Sequence, residues 1–287
     1  MSLRHVIAIV VFGLPLAIFL FRIWLAIQKR NKTMKFPLGD VPRPAGYSLQ
    51  KRLNELNDEM LYSMIMFVIC SVGGGIVYVS GLSLWWSIAV ASPFMVYFML
   101  KLKKLIPQFS NYNLGLVGEQ AVGAVLNTLS RDMIKVFHDF PVQEQGKKPW
   151  NIDHIVVTLD GVFVLETKTR RKPVLKGNKS QNGHEVRYDG GSLHYPMSSE
   201  NWGINQALRN ANWMADYLSK AIGEPVSAKP VLVLPGWMVR RDGKGQVNVV
   251  NHKELYSYFS GRKGQTNSET KVKRRCHQLE QKCMMDL

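Results

Sequence analysis

Residues 151–168 read "NIDHIVVTLDGVFVLETK". Two apolar runs flank Asp160-Gly161, a dipeptide that favours a two-residue turn between antiparallel strands, so the stretch predicts a β-hairpin. Alternate residues of a strand share a face. Val162, Val164, Glu166 and Lys168 therefore point one way, and Phe163, Leu165 and Thr167 the other. A turn at Asp160-Gly161 pairs Leu159 with Val162 and Val157 with Val164. In that register Ile155 faces Glu166 and Asp153 faces Lys168. Asp153, Glu166 and Lys168 then share one face, with the two carboxylates as diagonal neighbours roughly 7 Å apart at their bases.

Hard oxygen ligands of this kind hold Mg²⁺, which keeps several waters and contacts phosphate oxygens. The ion lowers the pKa of a bound water and neutralises charge on a phosphate under in-line attack. An adjacent ammonium orients the water or stabilises the transition state. A salt bridge closing a strand is the other reading, and spacing alone leaves both open. Glu-Thr-Lys recurs at 269–271 among polar and basic residues, and Glu-x-Lys again at 280–282, so the tripeptide is not diagnostic.

Around the hairpin the texture is mixed. "GLVGEQAVGAVLNTL" (115–129) has Val117, Ala121, Ala124 or Val125, and Leu129 near helical spacing, with Glu119 on an early turn. "DMIKVFHDFPV" (132–142) predicts a short strand. A polar segment rich in Gly, Asn and Lys runs from Lys172 to about Ser199. "NQALRNANWMADYLSKA" (205–221) predicts a helix with Ala207, Ala211, Met214 and Leu218 on one stripe. "KPVLVLP" (229–235) and the weaker "QVNVVN" (246–251) predict strands. The order implies an α/β core, followed from Gly261 by a basic, polar tail expected to be mobile.

The first hundred residues are of another kind. Val6–Ile27, Leu61–Gly81 and Leu82–Leu100 are each close to the roughly 20 apolar residues that cross a bilayer core. The basic flank "QKRNKTMK" after the first favours a retained anchor over a cleaved leader, with Arg22 near enough to snorkel. Lys and Arg crowd the loop 28–60 and the exit at Lys101, Lys103 and Lys104. The expectation is an N-terminus outside, the 28–60 loop inside, and everything after the third span in the cytoplasm. Within the loop, "PRPAG" reads as a stiff linker. "SLQKRLNELNDEM" (48–60) reads as a separate interfacial or packing helix, with Ser48 as its N-cap. The formal charge of +16 suits an anionic partner, either nucleic acid or an acidic membrane face. Cys70, Cys276 and Cys283 offer neither a disulfide framework nor a zinc knuckle.

Six blocks occur in order: "GEQAVGAVL", "VFHDF", "NIDHIVV", "GVFVLETK", "NQALRNANWM" and "VLVLPGW". Together, over about 112–250, they resemble the NERD (nuclease-related) domain of the PD-(D/E)XK nuclease superfamily. The resemblance implies a restriction-endonuclease-like α/β core, a mixed sheet flanked by helices, preceded here by the transmembrane region. It implies catalytic positions at Glu119, Asp153, Glu166, Lys168 and Gln206. Asp153 and Glu166 would hold Mg²⁺ (with Mn²⁺ as a substitute), aided by the Thr167 carbonyl and by Glu119. Lys168 would serve the attacking water, and Gln206 would orient the lysine or the substrate. The implied protein is a nuclease on the cytoplasmic side of a bacterial inner membrane, acting on nucleic acid, with DNA the expected substrate. The alternative is a non-catalytic nucleic-acid-binding module tethered to the bilayer. A scaffold whose charge serves anionic lipid is a third reading. Expected domains are the anchor (1–104), the nuclease-like domain (111–260) and the basic flexible tail (261–287). Arg170, Arg171, Lys172, Lys176 and Lys179 form either a phosphate-contacting patch or a solvated loop. His154 is read as a packed or capped residue, and His138 has no partner at metal spacing. Trp202, Trp213 and Trp237 are read as core residues in preference to base-stacking platforms.

Overall fold

The computed structural model describes residues 22, 41–81, 83–129, 134–173, 183–260 and 267–284. The first expected span, apart from Arg22, and both Lys176 and Lys179 lie outside these residues. The chain divides into two compact units, one containing 54–110 and the other 40–53 with 111–285.

Helices α1 (Tyr47–Val79) and α2 (Leu84–Leu129) are both long and apolar enough to cross a membrane. In the first unit Leu61, Ile65, Val68, Val72, Trp85, Phe94 and Met99 are exposed, where a water-soluble bundle would bury such residues. Gly74 lets the two helices approach there, since a Cβ on it would stand 2.8 Å from Ala91 Cβ. Segment 48–60 is not the separate helix expected. No glycine or proline interrupts it, and it runs straight into the apolar stretch as α1. Ser48 is inside that helix and caps nothing; its hydroxyl donates to Asp139 Oδ2 at 2.7 Å.

The second unit is built on a five-stranded mixed sheet in the order β1-β2-β3-β7-β9: Lys135–Val142, Trp150–Thr158, Gly161–Thr167, Ala228–Val233 and Asn248–Val250. The first three pair antiparallel, and β7 and β9 join in parallel. Helix α3 (Trp202–Ile222) links β3 to β7 and packs on both. Alternation along the strands splits the core. Ile155, Val157, Val162 and Val164 face Ala211, Met214 and Leu218 of α3. Val156, Phe163 and Leu165 face Val122, Leu126 and Leu129 of α2 and Phe259 of α4 (Leu255–Ser260). The mixed α/β architecture expected from the strand and helix order is the one observed.

Three differences from the expected local structure have clear causes. The buried stripe of α2 is Leu116, Glu119, Val122, Leu126 and Leu129, which shares Leu129 with the predicted one but not its earlier positions, and Val117 is 54% exposed. The segment 172–199 is not all loop. Val186 and Tyr188, then Leu193 and Tyr195, alternate inward on β4 (Glu185–Tyr188) and β5 (Leu193–Tyr195). With β6 (Ser198–Glu200) and β8 (Met238–Arg241) they make a second sheet, β6-β5-β4-β8. Finally, the expected flexible tail holds α5 (Glu269–Glu280). Its Val272, Cys276 and Leu279, with Cys283 just beyond, recur at helical spacing and are buried in the same core as α3.

Candidate active site

The hairpin turn lies one residue earlier than Asp160-Gly161. Thr158 pairs with Gly161, Val157 with Val162 and Ile155 with Val164. Thr158 Oγ1 accepts from Asp160 N at 3.0 Å, which stabilises a turn at Leu159-Asp160. Gly161 takes φ +131°, a conformation that side chains resist, as the first residue of β3. The register therefore moves by two residues relative to the expectation. The faces are unchanged, because strand periodicity is two, but the ladder now sets Asp153 level with Glu166 rather than diagonal to it.

Glu166 is 1% exposed and doubly held: Lys168 Nζ donates to its Oε1 at 2.6 Å and Asn210 Nδ2 to its Oε2 at 2.8 Å. Asn210, fully buried on α3, is itself fixed by Trp150 Nε1, which donates to its Oδ1 at 3.2 Å. Asp153 Oδ2 accepts from the Thr167 backbone N at 2.6 Å. Glu119 reaches the end of β3 from the opposite layer. Gly118 permits that approach, because a Cβ there would overlap the Thr169 side chain. Gly203 does the same for α3, where a Cβ would stand 3.2 Å from Lys168 Cγ.

The electrostatics follow from burial. Desolvation raises the Glu119 carboxyl to about 8, with Asp139 and Glu166 pushing further and Lys168 opposing. Desolvation also raises Asp153 well above the usual carboxylate range, with Glu166 and Glu119 adding to it. Glu166 is raised by burial and pulled back by Lys168, Arg209 and Asn210. Three carboxyl groups thus feel one another around one ammonium, a strained balance that a bound cation would relieve. Among the described residues no three His, Cys, Asp or Glu side chains gather closely enough to hold an ion by themselves. Two carboxylates with waters and a substrate phosphate suffice for Mg²⁺, and Mn²⁺ accepts the same oxygens, so the donor set fits such an ion.

The model of the NERD family, the nuclease-related domain, matches residues 114–235. These residues form a NERD domain. The match takes in Glu119, the hairpin with Asp153, Glu166 and Lys168, and the whole of α3. Comparison with curated proteins and with solved structures gave no match.

Of the five positions expected to act together, the NERD domain brings Glu119, Asp153, Glu166 and Lys168 into mutual electrostatic contact. Gln206 lies on the same helix, one turn before Asn210, and its buried side-chain oxygen has no hydrogen-bond partner. Asn210 is the residue that sequence reasoning missed. Its signal was an amide four residues after Gln206, next to the apolar stripe of Ala207 and Ala211. The basic run is partly anchored: the Arg170 guanidinium lies 4.5 Å from the Tyr195 ring, Arg171 donates to Asn111 Oδ1 at 3.0 Å, and Lys172 Nζ stands 5.9 Å from the Trp237 ring. His154 and His138 meet Nδ1 to Nδ1 at 2.8 Å, and burial lowers both, His138 to about 4. They form a packed neutral pair on the far face of β2, consistent with the packed reading of His154. The tail copy of Glu-Thr-Lys behaves differently. Glu269 and Lys271 are exposed at the start of α5, with Lys271 Nζ 3.4 Å from Glu224.

Proposed function

We propose that the protein is a membrane-anchored nuclease that hydrolyses phosphodiester bonds of DNA on the cytoplasmic side. The observation that carries the reading is the buried Glu166 at the end of β3, paired to Lys168 beside Asp153 and Glu119, inside a nuclease-related domain. Asp153 and Glu166, with Glu119 beside them, would hold Mg²⁺ or Mn²⁺. That ion, when bound, supplies an acidified water and charge neutralisation at the phosphate. Lys168 reaches the solvent side of the cluster and can donate to an oxygen of the phosphate or hold the attacking water in line. Asn210 fixes the Glu166 carboxylate, and Trp150 fixes Asn210, so the acceptor oxygens are held in place before substrate arrives. Gln206, with a buried and unused acceptor on the same helix, would orient the lysine or the substrate. Arg170, Arg171 and Lys172 continue from the site as cations available to the backbone, with Lys176 and Lys179 further along the chain. The two apolar helices and the Lys and Arg that flank them support anchoring with the NERD domain inside.

The test is cleavage by the purified full chain with Mg²⁺ or Mn²⁺, on linear, circular and single-stranded DNA and on RNA. Asp153→Ala and Glu166→Ala should lose metal affinity and cleavage together. Lys168→Ala should keep metal binding and lose about 100-fold or more in rate, the usual cost of a transition-state group. Glu269→Ala and Lys271→Ala should change neither. Full activity in a folded Glu166→Ala or Lys168→Ala protein refutes the assignment. A wild type that binds nucleic acid but never cleaves it would be a tethered binding module.

A further inference from the structure

Among the three tryptophans expected in the core, Trp237 is buried and Trp213 packs partly against the α3 side of the sheet. Trp202 departs from the expectation: it is 62% exposed at the first position of α3. Its ring lies against the site, with Lys168 Nζ 4.3 Å from the ring centroid. One face of the indole thus carries the ammonium that pairs with Glu166, and the side chain is otherwise largely open to solvent. An indole left exposed forgoes the stabilisation of burial, which makes its position beside a charged cluster informative.

Two further features lie close to it along the chain. Past Lys168 the chain enters a cleft of about 240 Å³ walled by Arg170, Lys172, Tyr195 and Trp237, with exposed Met197 at its lip. Arg170 and Lys172 are held there over the buried rings of Tyr195 and Trp237, so the cleft offers positive charge to a phosphate backbone. One turn along α3 from Trp202 stands Gln206, whose side-chain oxygen is buried beneath the surface and without a hydrogen-bond partner.

We infer that Trp202 is a stacking platform for an unpaired nucleobase next to the scissile phosphate. The substrate class is then a single strand, flap or frayed end. Inside a duplex both faces of each base are already covered by neighbours, so away from its ends only an unpaired nucleotide can offer a face to the indole. The inference rests on the nuclease reading above, and its test separates the two.

The full chain, purified in detergent with Ca²⁺ in place of Mg²⁺, is titrated with a short oligodeoxynucleotide carrying a fluorescent purine analogue whose emission falls on stacking. The same oligonucleotide annealed as a blunt duplex is the comparison. Wild type should bind the single strand more tightly and quench the analogue. Trp202→Ala should weaken single-strand binding by about 10- to 100-fold and abolish the quenching, with duplex affinity unchanged, because base–aromatic stacking is the term removed. Trp202→Phe, which keeps a ring, should retain most of both signals, and thermal melting checks that each variant folds. Equal wild-type affinity for duplex and single strand overturns the inference, as does Trp202→Ala that binds and quenches like wild type. If quenching depends on Trp202 but Mg²⁺ or Mn²⁺ brings no cleavage, the platform stands and hydrolysis falls. If wild type cleaves while Trp202→Ala binds and quenches undiminished, hydrolysis stands and the platform falls.

Discussion

Lys168→Met removes the ammonium from Glu166 and keeps an unbranched stem against the backbone of α3 at Gly203. Removing one partner of a buried ion pair costs about 3 to 5 kcal/mol, because the other charge is left uncompensated. Lys168 is 21% exposed, which places this site at the low end, about 3 kcal/mol. The loss depends on pH in a definite direction. Burial already raises Glu166 above its ordinary 4.5, and Lys168 is the foremost group holding it down. Below that pH the carboxyl is protonated in folded and unfolded chains alike, so losing the ammonium matters little. As pH rises, the unfolded chain releases a proton that the folded variant must either keep or give up to leave a bare buried carboxylate. The penalty therefore grows with pH. At roughly 2 to 4 °C per kcal/mol for a domain of this size, Tm should fall by about 6 to 12 °C at pH 8 and hardly at all near pH 4. Wild type shows the same sign. The stability contributed by Glu119 is fully present below its unfolded value of 4.5 and is lost as pH climbs through about 8. Thermal unfolding of the full chain in detergent with EDTA, followed by tryptophan fluorescence, measures this. Mg²⁺ added at pH 8 should restore more stability to the variant than to wild type, since the ion takes over the lost charge. An equal Tm loss at pH 4 and pH 8 would show that the lysine contributes packing alone, and the charge argument would fail.

Asn210→Ala should lower stability by about 2 to 3 kcal/mol and slow cleavage, because it removes a hydrogen bond to a buried carboxylate and unfastens Trp150; a Tm within 1 °C or so of wild type would refute this. Gly118→Ala should destabilise by about 1 to 3 kcal/mol through overlap with Thr169, whereas Gly146→Ala, with open space around it, should lose only the strain of its positive φ; chemical denaturation of both ranks them. Neutralising Arg170, Arg171 and Lys172 together should weaken DNA binding and flatten its salt dependence by up to about 3 in slope, measured by anisotropy over a range of salt. Reporters fused after residue 45 and at the C-terminus should both read as cytoplasmic, and a periplasmic signal from the C-terminal fusion would overturn the proposed orientation.

The sheet, the α3 stripe and the shared face of Asp153, Glu166 and Lys168 were legible because periodicity survives small errors of register. A two-residue slip leaves every side chain on its own face. The slip itself was not legible. It depends on Thr158 stabilising the turn and on Gly161 adopting a conformation that no propensity reports. Asn210 was hidden because a buried amide looks like any surface polar residue until its partner is known. Helix α5 was hidden by composition, since only Val272, Cys276 and Leu279 in a run of charged residues mark its inner face. Glu119 was found on the right helix through the family resemblance, with no signal that it would be buried. The burial stripe passes through the carboxylate itself, which apolar spacing cannot anticipate.

One contact joins nearly the two extremes of the described chain. Pro42 forms a bridge with Met284, Arg43 N donates to Cys283 O, and Arg43 Nε donates to Met284 O at 2.8 Å across 241 positions. The same short segment holds Asp139, whose φ of +49° is strained for a residue with a side chain, through Arg43 and Ser48. Cys283 Sγ closes the arrangement by donating to His138 O. At ribosomal speeds of roughly 5 to 20 residues per second, about 10 to 50 s separate the synthesis of Arg43 from that of its partner. For that interval Pro42 to Ser48 must wait beside a β1 edge that nothing yet closes. Cys283 and Met284 are made well after Gln206, the last of the proposed catalytic residues, so a ribosome stalled between them would display a chain with that whole set made and its closing strap still open.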